Sequence, residues 1–80
     1  MRLPRDVSAD QLIKALKVLG YEATRQTGSH IRLSILQPRK HHLTIPNHKP
    51  VRVGTLAAIL DDVAAQLKLS REELIKLMDL

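Results

Sequence analysis

The chain has 80 residues and a net charge of +5, with no cysteine and a single aromatic residue, Tyr21. This length supports one domain with a small aliphatic core, and the lack of cysteine excludes a disulfide framework or a thiolate metal site. No stretch approaches the roughly 20 apolar residues of a membrane span, and the N-terminus does not resemble a signal peptide, so we expect a cytoplasmic protein with no membrane partner.

The positive charge is concentrated in the first two thirds of the chain. Residues 1–53 hold ten Lys and Arg against three acids, whereas residues 54–80 hold three against five. No acid occurs between Glu22 and Asp61, an interval that contains six Lys and Arg and all four histidines. Such a segment attracts polyanions, of which nucleic acid is the commonest, and the alternative is a surface whose charge only keeps the protein soluble.

The first predicted element is a helix over "VSADQLIKALKVLG". Ser8 and Gln11 have the spacing of a capping box, and Val7 can pack on Leu12 as a hydrophobic staple. Apolar residues then recur at helical spacing, and Gly20 suits the positive φ that often ends a helix.

The next three elements alternate with a period of two, which predicts three strands of an antiparallel sheet with one covered face. In "YEATRQ", Tyr21 and Ala23 share one face, and Glu22, Thr24 and Gln26 share the other. The later strands direct apolar residues inward: Ile31, Leu33, Ile35, Leu43 and Ile45. Their outward residues are His30, Arg32, Ser34, His42 and Thr44.

The C-terminal third is helical. After a loop over residues 46–54, Thr55 is the predicted N-cap of a helix whose apolar stripe includes Leu56, Ile59, Leu60, Val63 and Leu67. Ser70 and Glu73 form a second capping box that opens a short last helix. Residues 1–80 are therefore predicted to form one two-layer α+β domain, α-β-β-β-α with an extra C-terminal helix, and the helices cover one face of the sheet.

His30 is the residue best placed for catalysis. It follows the turn "TGS" and shares the uncovered face with Arg32. Imidazole both accepts and donates a proton near neutral pH, and nearby cations stabilise charge on a phosphate, so this combination can cleave RNA without a metal. The alternative is an ordinary solvated histidine at a hairpin.

The remaining histidines suggest different roles. His41 and His42 are adjacent on a strand and so point to opposite faces, which disfavours chelation, and we expect no metal and no cofactor. His48 lies beside Lys49 and close to Arg52, just before a helix N-terminus that favours an anion. It is a candidate second catalytic or phosphate-binding group, or an exposed loop histidine.

Several short motifs, taken in order, resemble the HicA toxins, the mRNA interferases of type II toxin–antitoxin systems. They are a first helix that ends in glycine, the triplet Gly28-Ser29-His30, "IPNHK" from Ile45, and "GTLAAIL" from Gly54. A tail similar to "LSREEL" often closes such chains, and the resemblance covers nearly the whole sequence.

This resemblance implies a fold like a double-stranded-RNA-binding domain and a ribonuclease activity that depends on His30. Gly28 would be the turn residue that presents the histidine, with Ser29 as its neighbour. The family often has a histidine or polar residue after the triplet, where this chain has Ile31. The resemblance also implies a HicB-type antitoxin partner that blocks the active face, and an acidic partner would suit this basic surface.

The leading hypothesis is a metal-independent endoribonuclease toxin that cleaves single-stranded or loosely structured mRNA. His30 is the catalytic residue, His48 is the possible second group, and the predicted RNA-binding residues are Arg25, Arg32, Lys49 and Arg52. One alternative is a non-catalytic RNA-binding module that uses the same basic face. Another is an inactive domain that acts chiefly by binding its protein partner.

Overall fold

Three helices and three strands follow one another in the predicted order. The structure, a computed structural model, describes residues 6–37 and 39–80. The elements are α1 (Ala9–Val18), β1 (Glu22–Thr27), β2 (His30–Ile35), β3 (His41–Pro46), α2 (Val53–Leu67) and α3 (Arg71–Met78). The predicted α+β class is confirmed, with an open antiparallel sheet flanked by helices.

Both predicted capping boxes are present. The Gln11 N–H donates to the Ser8 hydroxyl at 3.2 Å, while the Ser8 N–H donates to the Gln11 side chain at 2.9 Å. Ser70 and Glu73 make the same reciprocal pair, with both distances 3.0 Å. These local bonds satisfy the first N–H groups of α1 and α3 and so define where the two helices begin.

The predicted cap of α2 is wrong. Helix α2 begins at Val53, two residues before Thr55, and its N-cap is Arg52, which makes no side-chain capping bond. The Leu56 N–H already donates to the Arg52 carbonyl at 2.8 Å, so the first helical turn encloses Thr55. A preference of Thr for caps is a local tendency, and here the chain enters the helix earlier.

The sheet has the order β1-β2-β3, and its two faces differ as predicted for the last two strands. Leu33, Ile35, Leu43 and Ile45 are buried, and Ile31 is half-buried. On the opposite face His30, Arg32, His42 and Thr44 are exposed and Ser34 is half-buried. The helices therefore cover one side of the sheet and leave the other open to solvent.

The core lies between the covered face and the helices, and it is almost entirely aliphatic. Its largest fully buried side chains are Tyr21, Leu12, Leu16, Leu33, Ile45, Leu56, Leu60, Leu74 and Val63. The predicted stripe of α2 is buried except for Leu67, which packs half-buried against the cluster. Among the residues that the structure describes, no helix is long and apolar enough to cross a bilayer.

Strand β1 departs from simple alternation. Ala23 pairs with Leu33, but the next paired residue is Arg25, opposite Arg32, so Thr24 is an extra residue at a β-bulge. Beyond the bulge the alternation reverses, and Gln26 is opposite inward-facing Ile31. The predicted grouping of Gln26 with Glu22 on one face is therefore wrong.

Ala23 shares the face of Tyr21 in the predicted strand, but it is not buried with it. All six residues of β1 are exposed, Ala23 among them, although Tyr21 just before the strand is buried. Strand β1 lies at the edge of the sheet, and the exposure of all six residues shows that the helices do not cover it.

Candidate active site

His30 is exposed at the mouth of the first hairpin. It is the first residue of β2, and its cross-strand neighbours are Thr27 on β1 and Pro46 on β3. Gly28, in the preceding turn, has φ +56°, the left-handed conformation that glycine adopts without steric cost. The turn thus directs His30 onto the open face of the sheet, as the sequence predicted.

The loop after β3 is attached to this hairpin. The Asn47 N–H donates to the Ser29 carbonyl at 2.7 Å, and the His48 carbonyl accepts a bond from the Ala9 N–H at 3.1 Å. These two bonds hold residues 47 and 48 between the hairpin turn and the start of α1. The structure therefore brings exposed His48 to the same end of the sheet as His30.

Arg25 and Arg32 lie directly opposite each other beside this end. Their Cα atoms are register partners, and Arg32 also pairs with Thr44 on β3. Directly paired residues of antiparallel strands share a face, so Arg25 joins Arg32 on the open face with His30. Strict alternation would have placed Arg25 with Tyr21 and Ala23 on the covered side, and the bulge reverses that placement.

The other two predicted RNA-binding residues are exposed but sit in a different environment. The Lys49 ammonium lies 3.9 Å from an Asp10 carboxylate oxygen, in an ion pair that is largely open to solvent. The acid-free interval of the sequence is therefore not free of acids in space. Arg52 is exposed at the start of α2, where the first turn contains no acid.

At the opposite end of the sheet, His41 belongs to a hydrogen-bonded chain that the sequence did not predict. Its Nδ1 lies 2.7 Å from the Tyr21 hydroxyl, and its Nε2 lies 3.2 Å from Asp62 Oδ1. With the ring proton on Nε2 facing the carboxylate, Nδ1 accepts from the phenol. Burial, followed by the charge of Asp62, raises the pKa of Tyr21 to about 12.

His42 is exposed on the open face near Arg32, whereas its neighbour His41 is half-buried, as their alternation on the strand predicted. Partial desolvation of the ring, together with the positive charges of Arg32 and Lys40 and the neighbouring His41, lowers the pKa of His42. His42 pairs with Ser34, four residues beyond His30 on β2, which places it about 14 Å from His30 along the strand direction. That separation is too long for the two imidazoles to act on one phosphate.

The His, Asp and Glu side chains do not form a metal-binding cluster in the part of the chain that the structure describes. In residues 6–37 and 39–80, no group of three or more lies close enough to hold a metal ion. The end of the sheet around His30 has three features. His30 is an accessible acid–base group, His48 lies on the attached loop, and the guanidinium groups of Arg25 and Arg32 belong to the residue pair two positions further along the strands. This combination can transfer protons and stabilise negative charge at a phosphodiester.

The features that sequence reasoning missed all depend on contacts between distant segments. These are the bulge at Thr24, the ion pair of Asp10 with Lys49, and the Tyr21–His41–Asp62 chain. The lone tyrosine next to a helix-ending glycine was a usable signal, because a buried phenol requires a hydrogen-bond partner.

Fold and site together define a small basic α+β protein whose exposed histidine lies beside cations on an open sheet face. A family model described as the HicA toxin of bacterial toxin–antitoxin systems matches residues 9–66, from the start of α1 to near the end of α2. The chain belongs to the HicA toxin family. No curated protein and no solved structure matches it.

Proposed function

We propose that this toxin is an endoribonuclease that cleaves mRNA by histidine acid–base catalysis without a metal ion. The observation that carries the proposal is the position of His30, exposed at the hairpin mouth and one row from the Arg25–Arg32 pair. Membership of the HicA toxin family supports the same role for this histidine. The bond from the Asn47 N–H to the Ser29 carbonyl supports His48 as the candidate second group, because it attaches the His48 loop to the hairpin turn.

The chemistry requires one proton to leave and another to arrive. One imidazole accepts the proton of a ribose 2′-OH, the 2′ oxygen attacks the adjacent phosphorus, and the bond from phosphorus to the 5′ oxygen breaks. A protonated group, for which His48 is the candidate, donates a proton to the departing 5′ oxygen. Nearby cationic side chains stabilise the charge that develops on the non-bridging oxygens, and the products end in a 2′,3′-cyclic phosphate and a 5′ hydroxyl.

The proposed substrate is single-stranded or loosely structured RNA. Attack by the 2′ oxygen requires it to lie in line with the leaving 5′ oxygen, a geometry that a regular A-form duplex resists. Arg25, Arg32, Lys49 and Arg52 are the proposed phosphate-binding residues. The ion pair of Lys49 with Asp10 is solvent-exposed and weak, so a phosphate can displace the carboxylate.

The proposed protein partner is a HicB-type antitoxin that covers the open sheet face in the cytoplasm. The face carries His30, Arg25 and Arg32, and within the described residues neither arginine has an acidic partner. An acidic surface on the partner would complement these charges and compete directly with RNA.

The decisive experiment measures RNA cleavage in EDTA by the wild type, His30→Ala and His42→Ala. His42 is the matched control, because it is an exposed histidine on the same face at a distance from the proposed reaction. We expect His30→Ala to lose about 100-fold or more of the cleavage rate, while His42→Ala stays within about twofold. Equal rates for the wild type and His30→Ala would refute the mechanism.

The same samples separate catalysis from binding alone. A non-catalytic RNA-binding module would retain RNA on a filter with salt-dependent affinity and leave it intact. Replacement of the RNA by an oligonucleotide with 2′-deoxy sugars tests the attacking group, and we expect it to bind without being cut. Cleavage of that oligonucleotide would exclude attack by the 2′ oxygen.

A further inference from the structure

Arg25 and Arg32 form a pair of like charges on the open face of the sheet. The two residues are direct register partners on adjacent strands, whose backbones lie about 4.8 Å apart. Among residues 6–37 and 39–80, no carboxylate forms an ion pair with either guanidinium. By contrast, Arg71 makes two bonds to Asp61, at 2.8 and 2.7 Å.

Like charges placed directly opposite each other on a sheet destabilise it. The β-bulge at Thr24 creates this placement, because without the extra residue Arg25 would point to the other face. An anion between the two side chains would convert the repulsion into a pair of attractive contacts. Guanidinium groups suit a phosphate in particular, since each offers two parallel N–H donors to its oxygens.

The position of the pair relative to His30 defines which phosphate it would meet. Arg32 lies two residues beyond His30 on the same face of β2, about 7 Å along the strand. One nucleotide step of an extended strand spans such a distance. Two consecutive phosphates of one strand can therefore lie next to His30 and next to the Arg25–Arg32 pair.

We propose that Arg25 and Arg32 form a two-arginine clamp that holds the phosphate next to the one at His30, on a single RNA strand that crosses the open sheet face. The inference rests on the proposed function and identifies how its substrate is held. The only aromatic residue, Tyr21, is buried on the covered side, so this face has no aromatic platform for bases. The strand is held through its phosphates, and binding depends little on base identity.

The clamp is tested by binding of a 2′-O-methylated oligo(U) of about 12 nucleotides, which lacks the attacking hydroxyl and is not cleaved. The variants are Arg25→Gln, Arg32→Gln and, as the matched loss of one positive charge, Lys14→Gln. Lys14 is exposed on α1, on the helical layer. We expect each arginine variant to bind about 5-fold or more weaker than Lys14→Gln and to lower the salt slope by about 0.7.

A second readout distinguishes a binding role from a structural one. In the free protein, Arg25→Gln removes a like-charge pair, so we expect the melting temperature to rise by about 1–4 °C, with no comparable rise in Lys14→Gln. A structural role for Arg25 would lower the melting temperature instead. The combination of a more stable fold and weaker RNA binding is specific to the clamp.

Two results would overturn the clamp. One is an equal loss of RNA affinity in the two arginine variants and in Lys14→Gln. That result would show that the arginines contribute only to the overall positive potential of the protein. The other is a fall in the melting temperature of both arginine variants. Neither result depends on cleavage, which the His30→Ala comparison tests separately, so a working clamp on a protein that cuts no RNA would support this inference and contradict the proposed function.

Discussion

A histidine is the first residue of a strand at each end of the sheet, and the surroundings of the two histidines differ. His41, at the start of β3, is half-buried and has a partner at each ring nitrogen, the Tyr21 hydroxyl and the Asp62 carboxylate. His30, at the start of β2, is exposed. It lies beside a turn in which Gly28 has a positive φ, and close to the Arg25–Arg32 pair.

The difference separates a structural histidine from a candidate catalytic one. At the His41 end, the buried Tyr21 hydroxyl requires a hydrogen-bond acceptor, and the His41 imidazole stabilises the fold by accepting that bond. At the His30 end, the ring is available to solvent and to any phosphate drawn in by the arginines. Residue type and strand position are the same at both ends, so the partners around each ring decide its role.

The largest expected effect comes from replacing His30 and His41 by alanine, one at a time. We expect His30→Ala to lose about 100-fold or more of RNA cleavage while its free energy of unfolding stays within about 0.5 kcal/mol of the wild type. His41→Ala should instead lose about 1–3 kcal/mol of stability, because the Tyr21 hydroxyl is left buried without its partner. Its folded fraction should cleave RNA at the wild-type rate.

Urea unfolding and cleavage rates measured on the same preparations check this exchange. His41→Asn is a useful control, since its amide oxygen can stand near the position of Nδ1 and accept from the phenol. A stability loss in His30→Ala as large as that in His41→Ala would show that the two ends are not distinct.

A smaller effect is expected in the alkaline range. The pKa of Tyr21 is raised from 10.0 to about 12, so the folded state favours the un-ionised phenol. The resulting stability is fully present below pH 10 and is lost as the pH rises from 10 towards 12. Between pH 9 and 11 we expect the wild type to lose about 1–1.5 kcal/mol more than Tyr21→Phe, which has no phenol to titrate.

Urea unfolding of both proteins at pH 9 and pH 11 measures that difference directly. The comparison concerns the change with pH in each protein, because Tyr21→Phe also lacks the hydrogen bond to His41 at every pH. Parallel pH dependences in the two proteins would contradict the burial of the Tyr21 hydroxyl.

The smallest effect concerns His42, which lies on the open face near the His41 end of the sheet. Its lowered pKa arises from partial desolvation and from positive neighbours that include Arg32. Any stability linked to this shift is present above the ordinary pKa of 6.5 and is lost as the pH falls through the folded-state value. An NMR titration should show the pKa of His42 below 6.5 in the wild type and closer to it in Arg32→Gln. An unchanged pKa in that variant would mean that Arg32 does not lie over this part of the face.

Much of the fold could be predicted from the sequence, because its signals are local. The capping boxes of Ser8 and Ser70 each join residues three apart, and they define where two helices begin. The alternation in β2 and β3 separates Leu33 and Leu43 from His30, and one side of the sheet is buried as a result. The exposure of His30 follows from that parity alone.

The face on which Arg25 lies, and the partners of His41, were decided only by the tertiary structure. A β-bulge in β1 reverses the alternation after Ala23, and the sequence of that strand contains no residue that requires it. Asp62 reaches His41 from α2, and Asp10 reaches Lys49 from α1. The chain by itself therefore determined the type and order of the elements and which side of β2 and β3 is buried, since propensity, capping and alternation act over a few residues. Register and ion pairs join distant segments, so only the packed structure decides which charges are neutralised and which are left for a ligand.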